Sequence, residues 1–161
     1  MGSFRIGDKA VYPSHGVGEV VGIERREVSG RHQTFYILRL SDTGMTVMVP
    51  TENCSSVGLR EVIAPRHVKK VFDILRSREP MRIRQTWNRR YREYMDKIRT
   101  GSLFEVAEVL RELSLLRGHK DLSFSERKML ETARSLVVRE LAVSKRTKES
   151  RIEQELDSIL G

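Results

Sequence analysis

The sequence predicts an α+β chain, an all-β module followed by an all-α one, and three observations point there. Up to about Val62 the apolar residues are β-branched or aromatic, fall in short runs, and are broken by turn residues at the spacing of small β domains. After Ala64-Pro65 the apolar spacing changes to the three-to-four-residue step of amphipathic helices. Charge divides along the same line. Residues 1–66 carry 8 basic and 7 acidic side chains and residues 67–161 carry 22 and 15, so the net charges are +1 and +7. The expected domains are therefore 1–64 and 65–161, each large enough for a small core.

Strands are expected at Lys9–Tyr12, Gly18–Val28, Thr34–Leu40, Thr46–Val49 and Leu59–Ile63. Ser29-Gly30 and Asp42-Thr43-Gly44 supply hairpin turns, where glycine tolerates positive φ. Five short strands favour a barrel-like or strongly twisted sheet, which limits exposed edges. In the second domain Val68, Val71, Phe72 and Leu75 mark a helix that must stop before Glu79-Pro80. Thr86 is placed to cap a second helix carrying Trp87, Tyr91, Tyr94, Met95 and Ile98, which Gly101 ends. Ser102 with Glu105, and Ser123 with Glu126, form two capping boxes, each opening a helix with its own apolar stripe. A last amphipathic piece, Ile152, Leu156, Ile159 and Leu160, is too short to stand alone in water and should pack back on a bundle of four or five helices.

Composition narrows the function classes. The 161 residues are 39% hydrophobic and 32% charged with a net charge of +8, a balance that favours a polyanionic partner. The single cysteine, Cys54, makes neither an internal disulfide nor a multi-thiolate zinc site and fits a reducing compartment. No apolar run approaches the ~20 residues of a membrane span. The opening MGSFRIGDKA has neither the apolar stretch of a secretory signal nor a hydroxyl at position 6, where Ile6 stands. A soluble, cytoplasmic, monomeric protein is expected.

Signs of an enzyme are missing. GVGEVVG, from Gly16 to Gly22, has the wrong spacing for a phosphate loop and runs into strand-type residues instead of opening a helix. His15, His32, His67 and His119 lie in different elements without metal-ligand spacing and read as surface side chains. Cys54 has no nucleophile context and reads as a structural thiol. Neither a cofactor nor a metal is expected.

The stretch Arg76–Arg99 holds nine basic residues against three acidic ones, a net charge of +6 in 24 residues. By itself that is a solvated helix face. Within it, TWNRRYREYMDKIRTGS concentrates the only tryptophan and two of the four tyrosines. Trp87 begins a well-spaced apolar stripe, which argues for core, yet it sits at the first helical turn after an arginine-rich connection, which argues for exposure. Arg89, Arg90 and Arg92 would then reach backbone phosphates on either side of a groove, with the positive end of the helix dipole beside them. An apolar wedge flanked by cations is how proteins enter the minor groove. The residues leave both readings of Trp87 open.

The chain resembles the CarD/CdnL family of bacterial transcription regulators over essentially its whole length. The blocks that carry the likeness are FRIGDKAVYPSHGVGEVVGIE, MVPTENCSSVGLREVI, TWNRRYREYMDKIRTGS, VAEVLREL and LSFSERKMLETARSLVVREL. The resemblance implies a Tudor-like five-stranded β domain, shared with the polymerase-binding module of transcription-repair coupling factors, that docks on the RNA polymerase β subunit. It also implies a helical domain that offers a tryptophan to the minor groove of promoter DNA at the upstream edge of the melted region. On that resemblance Trp87 matches the wedge and Arg89 and Arg90 its basic neighbours, while Arg127, with Lys128 beside it, matches a later basic DNA contact. Arg26 matches a polymerase contact. Some relatives have an arginine at the position of Met48, so the polymerase contact here would be apolar, through Met48, Val49 and Pro50. Alternation along Thr46-Val47-Met48-Val49 must turn either Val47 and Val49 or Met48 outward. The expected outcome is a largely sequence-independent stabilisation of the open promoter complex. The rivals are a sequence-specific repressor that binds duplex alone, and an adaptor whose basic helix meets an acidic protein surface.

Overall fold

The computed structural model describes residues 4–52, 57–77 and 87–160, with the backbone alone at 87 and 88. The chain divides into two compact units, Met1–Val62 and Ile63–Gly161. In the first, β1 (Lys9–Tyr12), β2 (Gly16–Val28), β3 (Arg31–Leu40), β4 (Thr46–Pro50) and β5 (Arg60–Glu61) form one antiparallel sheet in the order β4-β3-β2-β1-β5. β2 and β3 run further than their apolar residues suggest. Val28 pairs with Arg31 across Ser29-Gly30, whose positive φ values of 52° and 78° give the turn that matches strand twist. The fifth strand shrinks to two residues, and among the described residues no ladder joins β4 to β5. The sheet therefore keeps β4 and β5 as open edges, where closure was one expectation.

Its inner face holds Ala10, Val20, Tyr36, Leu38, Leu40 and Val49, with Phe4 and Leu59 added from loops. Phe4 packs edge-on against Tyr36 and donates its backbone N–H to the tyrosine oxygen at 3.1 Å. Packing explains the central glycine of the glycine-rich string. A Cβ at Gly18 would lie 2.9 Å from both the Arg39 carbonyl oxygen and Leu38 Cγ, so β2 and β3 approach as only glycine allows.

The second unit contains α1 (Pro65–Arg76), α2 (Trp87–Arg99), α3 (Leu103–Arg117), α4 (Phe124–Lys145) and α5 (Glu149–Leu160). α1 opens with proline in its first turn and buries Val68, Val71, Phe72 and Leu75, the stripe expected of it. The expected cap at Thr86 lies outside the described residues. α3 is nearly enclosed, with Ala107, Val109, Leu110 and Leu113 fully buried. The buried Arg111 on the same helix donates from Nε to the Ser77 carbonyl at 2.8 Å, satisfying a group just past the end of α1. α5 packs back through Ile152 and Leu156. The unit begins firmly: the Ile63 N–H donates to Glu140 Oε2 at 2.8 Å, and Ser144 Oγ donates to the Ile63 carbonyl at 2.6 Å.

The two capping boxes part company. Ser123 accepts from the Glu126 N–H while Glu126 accepts from the Ser123 N–H, a complete box. Ser102 occupies the cap position of α3 without a side-chain capping bond, which corrects the box expected there with Glu105. Its own N–H is taken by Thr100 Oγ1 at 3.2 Å, so the tight connection after α2 replaces the reciprocal pair. Among the described residues, no helix is long and apolar enough to cross a membrane.

Candidate functional site

In the β unit, strand register decides which candidates share a surface. Met48 pairs with Ile37, Pro50 with Phe35, and Thr46 with Arg39, while Glu24 lies opposite Phe35 and Arg26 opposite Gln33. Val47 and Val49 point with Tyr36 and Leu38 to the inner face, where Val49 is 1% exposed. Met48 is 39% exposed. The structure thus groups Arg26, Met48 and Pro50 on one outer face and places the Val49 side chain in the core. Arg26 is held by Glu24, Nη2 to Oε2 at 2.9 Å, beside a half-covered apolar strip of Phe35, Ile37, Met48 and Pro50.

The Met48 and Pro50 side of this strip lies on β4, an edge strand. Bonds from the Leu40 N–H to the Met45 carbonyl and from the Thr51 N–H to the Thr34 carbonyl fix the ladder's phase. The backbone groups of Thr46, Met48 and Pro50 therefore face the open edge. Pro50 has no N–H, which leaves Thr46 and Met48 as its donors. Phe35 and Ile37 were missed by the sequence reading. The unbroken run Phe35-Tyr36-Ile37-Leu38 hides its alternation, although any strand must put two of those four on each side.

In the helical unit, α2 packs on α3 through the buried Tyr94 and Ile98. Burial, with Glu112 beside it, holds the Tyr94 phenol protonated well above its usual range. Tyr91, one residue off this buried stripe, is 41% exposed. The side chain of Trp87 lies outside the described residues. Arg89 and Arg92 are exposed, as are Arg127 and Lys128 on α4.

Arg90 is the exception among the expected phosphate contacts. It is 8% exposed and faces Glu126, Nη2 to Oε2 at 3.9 Å, inside the unit. A cation enclosed beside a carboxylate is less open to a polyanion than its exposed neighbours Arg89 and Arg92. A signal existed: Arg90 stands four residues before Tyr94 and so lies on the buried stripe of α2, whereas Arg89 and Arg92 lie off it. Its contact brings the starts of α2 and α4 together. Arg89, Arg92, Arg127 and Lys128 all lie within two residues of that meeting point. Glu126, 1% exposed, also takes Lys120 Nζ at 3.2 Å. Burial disfavours its charged form, yet hydrogen bonds from Ser123 and the Lys120 ammonium carry its pKa below the ordinary carboxylate value.

The four histidines are exposed, and among the described residues no group of three or more histidine, cysteine, aspartate or glutamate side chains is placed to hold a metal. Cys54 lies outside the described residues.

Comparison with known proteins covers both units. A family model described as CarD, C-terminal domain, matches residues 70–157, and one described as CarD-like/TRCF RID domain matches residues 4–63. The chain is 39% identical over 149 residues to "Putative transcription factor YdeB" of Bacillus subtilis (strain 168), covering 92% of this chain and 97% of that one. Among solved structures it is 57% identical to CdnLNt from Myxoccoccus xanthus, over 39% of this chain and 89% of that one, with a TM-score of 0.33.

Proposed function

This chain belongs to the CarD/CdnL family of transcription factors, and from that premise we propose that it is a regulator of transcription initiation that joins RNA polymerase to promoter DNA. The β unit holds the polymerase β subunit through Arg26, Met48 and Pro50. A polymerase strand adds to the open edge of β4, its backbone bonded at Thr46 and Met48 and its side chains packed on the apolar strip. The match of residues 4–63 to a module shared with transcription-repair coupling factors supports this contact.

The helical unit holds DNA. One observation carries this half of the reading: four exposed cations, Arg89, Arg92, Arg127 and Lys128, border the point where α2 meets α4, at the end of α2 that begins with Trp87. The cations contact phosphates, which orients the unit without reading sequence. Trp87 wedges into the minor groove at the upstream edge of the melted region, where bases are partly unstacked. Partly unstacked DNA admits an indole more readily than intact duplex, so binding shifts the closed–open equilibrium by the difference in affinity. A preference of about 1.4 kcal/mol makes that shift tenfold. Neither unit needs to bind tightly alone, since tethering to the polymerase raises the local concentration of the wedge at every promoter the enzyme occupies.

The test is open-complex lifetime on a promoter fragment with polymerase. Trp87→Ala should retain polymerase binding and lose most of the added lifetime, while Arg26→Ala should lose polymerase binding itself. A lifetime unaffected by Trp87→Ala removes the wedge, and a footprint with no protection upstream of the bubble removes the DNA contact.

A further inference from the structure

α2 is fastened at three levels. Near its C-terminal end Lys97 Nζ meets Glu108 Oε2 of α3 at 2.9 Å, and at its middle Tyr94 hydrogen-bonds Glu112 of α3. At its first turn Arg90 faces Glu126 of α4. The third tie differs from the others. It runs to a different helix, and both of its side chains are buried, Arg90 at 8% and Glu126 at 1% exposed.

A buried ion pair is a poor source of net stability, because desolvating two charges offsets most of their attraction. Its physical strength is geometric. Once both partners are in a dry site, separating them leaves a bare charge in a medium of low dielectric, so only one arrangement of the two helices is tolerated. Glu126 is built to impose such an arrangement. Its Oε1 accepts from the Ser123 N–H at 2.9 Å and lies 3.2 Å from Lys120 Nζ, while Oε2 faces Arg90 Nη2 at 3.9 Å. One carboxylate thereby ties together the start of α4, the connection before it and the first turn of α2.

We propose that Arg90 and Glu126 form a positioning clamp, which holds the turn bearing Trp87 and Arg89 at a fixed place beside the turn bearing Arg127 and Lys128. The inference rests on the DNA-binding reading of those four residues, and neither clamp residue touches DNA. A loosened first turn would let the wedge and the α4 cations move independently. The entropy of ordering them would then fall on the binding step.

The experiment compares full-length Glu126→Gln, Arg90→Met and the two together. Glutamine keeps the capping box with Ser123, so loss of charge is separated from loss of the cap. The double variant removes both buried members of the pair together, which guards against reading simple unfolding as loss of the clamp. The amides of Tyr91, Arg92 and Glu93 bond to carbonyls of the first turn in an α-helix. Their hydrogen exchange should accelerate about tenfold more than that of α3 and the rest of α4, since local opening is what exchange reads below the global limit.

With polymerase, the variants should bind as well as the wild type and shorten open-complex lifetime, yet add nothing in a Trp87→Ala background. Unchanged exchange at those amides, or a uniform acceleration through the whole unit, overturns the clamp. So does a lifetime loss that multiplies with that of Trp87→Ala. If Trp87→Ala alone leaves lifetime unchanged, the wedge reading has failed instead, and the exchange pattern by itself still decides the clamp.

Discussion

Adjacent residues in this chain have opposite fates. Arg89 is exposed and Arg90 enclosed, and Met48 faces outward while Val49 is core. In both cases a step of one residue moves a side chain to another face, by about 100° on a helix and by a half period on a strand. Glu126 shows the energetic consequence. Its folded pKa lies below the ordinary carboxylate value, because hydrogen bonds from Ser123 and the charge of Lys120 outweigh burial. A carboxylate depressed in the folded state contributes stability above its unfolded pKa of about 4.3 and loses it as pH falls through the folded value. Thermal unfolding of the wild type and Glu126→Gln should therefore converge as pH is lowered from about 6 to 3, since glutamine has no such loss. A melting-temperature difference that stays constant over that range would mean the carboxylate is not held charged by its partners.

At the scale of elements, the two serine caps offer a paired test. Ser123 has a reciprocal bond with Glu126, and Ser102 has no side-chain capping bond. Ser123→Ala should cost about 1 kcal/mol in denaturant unfolding. Ser102→Ala should stay within about 0.5 kcal/mol, as for a substitution that breaks no specific feature. Equal losses would mean that the S-x-x-E spelling, and not the geometry, governs both helix starts. The sequence reading treated the two boxes alike because spelling is all a local pattern contains. What separates them is the tight connection from α2, where Thr100 Oγ1 already holds the Ser102 N–H. The edge strand β4 behaves likewise. Its apolar run is legible as a strand, but its parity follows from pairing with β3, a partner that the run itself does not name.

For the whole molecule, the proposed DNA contact draws its charge from separate stretches of sequence. Arg89 and Arg92 come from α2 and Arg127 and Lys128 from α4. If these four contact phosphates, removing any one should lower the slope of log affinity against log salt by about 0.9. Arg127→Ala, measured by titration on a promoter duplex over a range of salt, should show that change with little dependence on DNA sequence. An unchanged slope would place Arg127 off the DNA.

The sequence by itself determined the order of the two units, the helical and strand periods, the Ser29-Gly30 hairpin, the basic bias of the second unit and the family, because each is written in local spacing or in residue identity. Only the tertiary structure decided that Arg90 and Val49 face inward, that Phe35 and Ile37 complete an outer strip, and that Glu126 joins the starts of two helices. Those outcomes depend on which surface of one element meets another, and that is set by packing between residues far apart in the chain.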